Sequence, residues 1–251
     1  MVDGVDRVEL HFHLLPGVDD GPGDMATSVE LARLAVADGT RLITCTPHVR
    51  DAELDEIPER VDEMRARLRA AGVPLDIRTG AELAFDDLDG LSAGDLDAIA
   101  QGPVRARWLL LEAPLQDGNV EGFLASAQEL RARGYGLLIG HPERCPEIEP
   151  GGPEIAELLR SGDRLQVNGS SITGRHGPVA QQRAIELVRS GRAHVVASDA
   201  HRPARGPVLG AAVAALAEAG VPRDAAEPLV SANPRGLVER GLPARVGAFA
   251  A

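Results

Sequence analysis

The sequence predicts an α/β fold, a closed or nearly closed barrel of seven strand-then-helix units, and three observations lead to it. Short apolar runs alternate with segments of helical periodicity, which implies a parallel sheet joined by right-handed crossovers. Runs such as Trp108-Leu109-Leu110-Leu111 are continuously apolar, as strands covered on both faces are. Nearly every such run also stops on a histidine, a carboxylate or an asparagine, at the strand ends where barrels of this kind carry their sites. Such barrels reach a length near 251 residues as one unit, so a single domain over residues 1–251 is expected.

The first strand begins at Val8 and runs through His11-Phe12-His13. In extended backbone residues i and i+2 share a face, so His11 and His13 can offer two imidazoles to one ion. Asp24 to Asp38 follows, with Val29, Ala32, Leu34, Ala35 and Val36 near helical spacing and Gly39 as a stop. The second strand starts at Arg41 and finishes on His48. Ile57, Val61, Met64, Leu68 and Ala71 then repeat at three- and four-residue steps, and Gly72 closes that helix. Leu75 to Ala81 makes the third strand and delivers Glu82, and Trp108 to Leu111 delivers Glu112. After a helix from Val120 to Arg133, Gly136 to Gly140 leads to His141. Glu154 to Arg160 is helical, and Arg164 to Val167 ends in Asn168. Beyond a helix from Val179 to Ser190, the strand His194 to Ser198 delivers Asp199 and His201. An alanine-rich helix from Val208 to Ala219 and a short segment around Ala225 to Val230 complete the pattern, and Arg202 to Pro207 reads as a surface loop.

Composition narrows the chemistry. A net charge of −12 argues against nucleic acid as a partner, since binding a phosphate backbone needs a basic face. No apolar run approaches the roughly 18 residues of a membrane span, and the acidic start from Met1 to Asp6 is unlike a signal peptide, so a cytoplasmic protein is expected. Two cysteines, Cys45 and Cys145, suit a reducing compartment and read as packing residues. A cysteine phosphatase would need an arginine six positions after its cysteine, where Asp51 and Gly151 stand. The chain has no lysine, which excludes Schiff-base catalysis, a Walker-type lysine and a carbamate bridging two metals.

If the barrel closes, His11, His13, His48, Glu82, Glu112, His141, Asn168, Asp199 and His201 converge on one mouth, where they would repel or stay unsatisfied without cations. Imidazoles and carboxylates without thiolates suit Mn²⁺, Fe or Zn²⁺, and so many donors imply more than one ion. Two or three metals lower the pKa of a bridging water and hold both ends of a displacement at phosphorus, so hydrolysis is expected. Arg144 and Arg205 are the candidates to bind an oxyanion, with Arg50 the weaker one. His194 opens a strand on the end away from the presumed site, and His176 lies in a loop that either folds over the mouth or does not.

His11-Phe12-His13, Val18-Asp19-Asp20-Gly21-Pro22, Thr46-Pro47-His48, Gly80-Ala81-Glu82, Leu110-Leu111-Glu112, Gly140-His141-Pro142-Glu143-Arg144, Gln166-Val167-Asn168, Ala197-Ser198-Asp199-Ala200-His201 and Asn233-Pro234-Arg235 occur in that order. Together they resemble the polymerase and histidinol phosphatase (PHP) superfamily, and within it the CpsB/CapC-type manganese-dependent tyrosine phosphatases of bacterial capsule and exopolysaccharide systems. The resemblance implies a distorted (β/α)7 TIM-like barrel with up to three Mn²⁺ ions. One metal would sit with His11, His13, Glu82 and Asp199, a second with Asp20, His48 and His201, and a third with Glu112 and His141, Glu82 bridging. By the same resemblance Arg144 and Arg205 would hold the phosphate of a phosphotyrosine protein, an autophosphorylating kinase of polysaccharide export. Asp19 receives no role from it and reads as a turn residue or as support behind a ligand.

The sequence departs from that branch beside the site. Relatives often carry tyrosines after the Gly-Ala-Glu segment, where Leu83-Ala84-Phe85-Asp86-Asp87 stands here, and Ala113 replaces a usual aromatic after Glu112. Phosphatase activity on a small phosphomonoester such as histidinol phosphate is therefore the alternative substrate reading. An amidohydrolase and a metal-loaded scaffold domain are the other classes the motifs admit.

Overall fold

The computed structural model describes residues 6–115 and 118–244; the first five residues of the acidic start lie outside them. In chain order the elements are β1 (Arg7–Phe12), α1 (Met25–Ala37), β2 (Thr40–Cys45), α2 (Ile57–Ala70), β3 (Asp76–Thr79), β4 (Glu82–Ala84), α3 (Ala93–Ile99), β5 (Trp108–Glu112) and α4 (Val120–Ala132). They continue with β6 (Gly136–Gly140), α5 (Pro153–Arg160), β7 (Arg164–Asn168), α6 (Gly169–Ile172), α7 (Gly177–Arg189), β8 (Ala193–Ala197), α8 (Leu209–Glu218), α9 (Arg223–Val230) and α10 (Ala232–Arg240). Single 3₁₀ turns such as Pro142–Arg144 punctuate the loops.

All strand pairing is parallel, in two sheets ordered β1-β2-β3 and β4-β5-β6-β7-β8. Isolated parallel bridges join the sheets at both seams, Phe12 to Ala200 on one side and His48 to Glu82 on the other. The strands thus form a barrel-like ring that is stitched rather than continuously laddered at two places, consistent with the expected distorted α/β barrel. The third strand differs from its expected form. It breaks at Gly80-Ala81 into β3, which pairs with β2, and β4, which pairs with β5, so Glu82 opens a strand instead of following one. The break needs a glycine: a Cβ on Gly80 would lie 2.6 Å from Thr44 Cγ2, part of a stiff β-branched side chain.

Alternation along the strands separates two apolar layers. Leu10, Leu42, Trp108, Leu110, Leu138 and Val195 form the inner cluster together with Leu237 of α10, whose carbonyl accepts the Trp108 indole N–H at 3.0 Å. Phe12, Ile43, Leu109, Leu111, Ile139 and Val196 face outward onto the helices, meeting Leu31, Met64, Phe123, Leu130, Leu187 and Leu216. Each such fully buried side chain contributes about 1.5–3 kcal/mol. The helices start where local chemistry satisfies their first N–H groups: Asp24 accepts from Thr27 N and Asn119 from Gly122 N, both at 2.8 Å.

Three helices escape the periodicity of the sequence, and α6, four residues directly after β7, is too short to show any. α3 spans seven residues and buries only Leu96 and Ile99, although Ser92 and Asp95 form a reciprocal capping box. α10 follows the segment expected to end the pattern, and its Pro234 and Gly236, both buried, disguise it as a loop. Asn233 of α10 donates to the His194 carbonyl at 3.0 Å.

One buried carboxyl lies in the barrel beneath the mouth. Glu9 is fully buried, accepts Ser198 N–H at 2.8 Å through Oε2 and shares a hydrogen bond with the Ser198 hydroxyl; burial pushes it up to about 8 from 4.5. Because its folded pKa exceeds the unfolded one, folding holds a proton that the unfolded chain releases. Its contribution is complete below about pH 4.5 and shrinks as pH rises toward 8, a slope worth about 1.4 kcal/mol per pH unit between those limits. Glu9→Gln keeps the neutral hydrogen-bonding group, so between pH 5 and 8 the metal-free variant is expected to lose less stability in urea titrations than the parent. Parallel stability-against-pH curves would contradict the assignment.

Candidate metal centre

The mouth is built at the C-terminal ends of the strands. β1 delivers His11 and continues into His13, whose N–H donates to Ala200 O at 2.9 Å, and Asp199 N–H donates in turn to His11 O at 3.1 Å. At the other seam Glu82 N–H donates to Pro47 O at 3.0 Å, which sets Glu82 beside His48. His141 and Asp199 take their places with positive φ, 35° and 52°, and are the two non-glycine residues in that region among the described residues. Such backbone costs on the order of 1–3 kcal/mol each and persists where surrounding contacts demand it.

Five imidazoles crowd together. His13 and His201 stack with ring centroids 3.7 Å apart, and His11, His48 and His141 complete a chain of neighbours at 4.7–5.4 Å. Four of them lean on Glu82: His11 Nε2 at 2.9 Å, His141 Nε2 at 3.1 Å, and His13 Nε2 and His48 Nδ1 both at 3.3 Å. Asp199 Oδ1 lies 3.5 Å from His11 Nε2 and 3.6 Å from His13 Nε2, while Asp20 Oδ1 lies 3.1 Å from His201 Nε2. His11, His13, Glu82, His141, Asp199 and His201 are buried; Asp20, His48 and Glu112 are more open, so the site is approached from their side.

Four overlapping groups bring ligand atoms within 4.8 Å of one another: His13, Asp20, His48 and His201; His11, His13 and Glu82; His11, His141 and Asp199; His48, Glu82 and Glu112. Their union is the set of nine residues that the sequence pointed to. The grouping differs in detail from the expected one, since His13 also reaches Asp20 and His201, and His48 stands between Glu82 and Glu112.

The donor chemistry fits divalent cations. His11 Nε2, His13 Nε2 and Glu82 Oε2 are buried without hydrogen-bond geometry although they face one another. Their outward ring nitrogens, by contrast, are bound: Nδ1 of His11 to Gln166 Oε1 at 3.0 Å, of His13 to Asp19 Oδ2 at 2.6 Å, and of His201 to the Asp199 carbonyl at 3.0 Å. Each bond leaves the inward Nε2 with its lone pair, the arrangement that metal-binding histidines use. Burial opposes charge on Glu82 and Asp199, yet neighbouring imidazoles hold both well below the usual carboxylate range. Glu112 is pushed up to about 8, by burial first and repulsion from Glu82 second. His201 is pushed down to about 3 by burial and then by His13, itself raised to about 10 because Asp19 and Glu82 outweigh its burial. A divalent ion amid these groups would resolve the conflict, favouring neutral imidazole and ionised carboxylate together.

Both expected arginines stand at the rim. Arg144 Nη1 and Arg205 Nη2 approach Asp199 Oδ2 at 3.3 and 2.7 Å, leaving other guanidinium N–H groups for an anion. Arg50 is instead engaged by Asp86 and Asp87 at 3.0 and 3.3 Å.

The residue pattern, compared with known proteins, matches the family model described as "Capsular polysaccharide synthesis, CpsB/CapC" over residues 7–239. The chain belongs to the CpsB/CapC family. Among its relatives is the tyrosine-protein phosphatase YwqE of Bacillus subtilis (strain 168), 31% identical over 201 residues, 77% of each chain. Another is the putative tyrosine-protein phosphatase CapC of Staphylococcus aureus, 27% identical over 210 residues, 80% of each chain. A solved chain from the crystal structures of YwqE from Bacillus subtilis and CpsB from Streptococcus pneumoniae, described as unique metal-dependent tyrosine phosphatases, superposes with a TM-score of 0.78 at 29% identity. It covers 96% of this chain and 99% of its own.

Within this CpsB/CapC chain Asp19 takes the supporting and turn place expected of it, Asn168 lies at the mouth as expected, and the supporting role of Gln166 is the one that sequence reasoning missed. Asp19 holds His13 and also accepts the His48 N–H at 3.1 Å and the Gly21 N–H at 2.9 Å; Gly21 is needed there, as a Cβ would lie 2.8 Å from Asp19 Oδ1. Gln166 holds His11 and passes a hydrogen bond to Asn168 at 2.7 Å, whose amide donates to Asp199 at 2.8 Å. The signal for these two was a pair of polar side chains at i and i+2 in an otherwise apolar strand. Asp19→Asn is expected to weaken divalent-metal binding by about 10- to 100-fold in calorimetric titration while the fold survives; unchanged affinity would remove Asp19 from the centre.

Proposed function

We propose that this chain is a metal-dependent phosphomonoesterase that hydrolyses phosphotyrosine on a protein. The observation that carries the reading is the convergence of nine imidazole and carboxylate residues at one barrel mouth, with Arg144 and Arg205 beside them. His11, His13, Glu82 and Asp199 would hold one cation, Asp20, His48 and His201 a second, and Glu112 and His141 a third that shares Glu82. We take Mn²⁺ as the ion, with Fe and Zn²⁺ compatible with the same donors. The bound cations would supply charge neutralisation and a water acidified to hydroxide.

The chain's own groups do the rest. Arg144 and Arg205 would fasten the phosphate oxygens through N–H groups not used by Asp199, and Asn168 keeps Asp199 oriented while they do so. Beside Glu112 lies a cavity of about 240 Å³ whose apolar wall is Ala84, Phe85, Ala113, Pro114 and Leu115. An aryl ring suits that wall, to which Phe85 contributes the one aromatic side chain of the Leu83–Asp87 segment. This wall supports phosphotyrosine, while Asp86 and Glu112 at the same cavity are the groups that the cationic side chain of histidinol phosphate would meet.

The same reading takes residues 1–251 as one domain and the substrate as a tyrosine kinase of polysaccharide export, in keeping with the family's capsule context. It places the protein in the cytoplasm, where its two buried thiols stay reduced. No helix among the described residues is long and apolar enough to cross a membrane.

Purified protein supplied with Mn²⁺ is expected to release phosphate from a phosphotyrosine peptide and from p-nitrophenyl phosphate. His13→Ala should lower both rates by more than about 100-fold, beyond the loss expected for an outer partner. Turnover of histidinol phosphate with none of the peptide would reverse the substrate assignment, and full activity of His13→Ala would reject the site.

A further inference from the structure

Of the seven histidines, five crowd the mouth and His194 lies on the strand end away from it. His176 remains, as the residue that opens α7. Its imidazole is half-buried, and Nδ1 lies 3.0 Å from Ser171 Oγ. Ser171 Oγ in turn donates at 2.7 Å to Glu143 Oε1, a buried carboxylate that also accepts the Asn168 N–H at 3.0 Å. Burial raises Glu143 to about 7; with Glu143 ionised the serine proton is spent on it, Ser171 accepts from His176, and Nδ1 carries the hydrogen while the lone pair of the neutral ring sits on Nε2.

Two further links tie the segment carrying His176 to the segments carrying the arginine pair. Glu143 precedes Arg144 in the chain, so the relay ends beside that guanidinium. Arg175, the neighbour of His176, donates at 2.9 Å to the Ala204 carbonyl, which precedes Arg205. The loop carrying His176 is thereby fastened to the loop carrying Arg205. Arg144, Arg205, Asp199 and His141 all act on the imidazole electrostatically.

We propose that His176 is the general acid of the reaction, giving the proton on Nε2 to the leaving oxygen of the ester; this rests on the phosphomonoesterase reading above. The bond from phosphorus to the aryl oxygen breaks with its electron pair on that oxygen, which takes the proton from His176. Water supplies the new oxygen on phosphorus and releases its proton to solvent, from which the imidazole is recharged. A tyrosine phenolate is a poor leaving group, so a proton delivered in the transition state lowers the barrier substantially.

The electrostatics provide for loading the acid at the right moment. Burial, and then the positive charge of Arg144, push His176 down to about 4, with Asp199 opposing and Arg205 and His141 adding to the effect. The resting ring is therefore neutral at pH 7. A phosphate dianion seated on Arg144 and Arg205 offsets the guanidinium part of that shift and moves the imidazole toward its protonated form, while the effect of burial stays.

The test compares esters that differ in leaving group. Replacing His176 by Gln should lower kcat/KM about 100-fold or more on phenyl phosphate and a phosphotyrosine peptide. On p-nitrophenyl phosphate, whose leaving group needs little protonation, the loss should stay below about tenfold. Ser171→Ala, which keeps the imidazole but frees Nδ1, should show the same selectivity in weaker form and serves if His176→Gln misfolds. In protein loaded with diamagnetic Zn²⁺, NMR of the His176 ring should show its titration midpoint rising on addition of inorganic phosphate. Equal losses on all esters, or a midpoint that does not move, would overturn the role of His176 while leaving the phosphatase reading intact. Wild-type protein inactive on every ester would instead overturn the reading beneath it.

Discussion

One buried carboxylate, Glu82, faces four imidazoles within 3.3 Å, and much of the fold is arranged to make that meeting possible. Glu82 reaches its position because the third strand breaks at Gly80-Ala81 and hands the chain from one sheet to the other. The bridge from His48 to Glu82 is therefore both a seam of the barrel and a contact in the site. A continuous third strand would give better ladder hydrogen bonding and a worse site. The opposite seam repeats the device, with the Phe12–Ala200 bridge setting His11 and His13 against Asp199. The distortion of the barrel and the crowding of its mouth have one cause.

Around that centre the outer partners matter as much as the donors. Asp19, Gln166 and the Asp199 carbonyl each take the outward nitrogen of a histidine and turn its inward nitrogen toward the shared space. Gln166, Asn168 and Asp199 form a single line of hydrogen bonds, so the orientation of His11 and of the arginine-bearing rim are linked. The backbone at His141 and Asp199 carries positive φ in the same place, consistent with strain held by this network.

The sequence carried the alternation, the strand-end residues and the family, because each is local: apolar runs, i and i+2 spacing and short motifs need no knowledge of distant contacts. What it concealed was non-local. That Glu82 belongs to a different sheet from Thr79 follows only from pairing with β5, and nothing in Leu75 to Ala84 announces the exchange. α3 was too short for periodicity to register, and α10 hid behind a proline and a glycine that are buried against the barrel floor. Asp19 lies beside Asp20 in the chain, yet one supports a ring nitrogen and the other faces His201; the motif suggested that division, and side-chain directions supply its physical form. Arg50, the weaker candidate among the arginines, is held by Asp86 and Asp87, partners that its place after His48 does not announce.

The central claim is that the groups gathered on Glu82 exist to bind cations. Crystals grown with Mn²⁺ and measured at the manganese absorption edge test it most directly. The account predicts anomalous peaks within coordination distance of His11 Nε2, His13 Nε2 and Glu82 Oε2, with further peaks toward Asp20 and Glu112. A protein that turns over phosphate esters while its crystals show no anomalous peak among these atoms would contradict it.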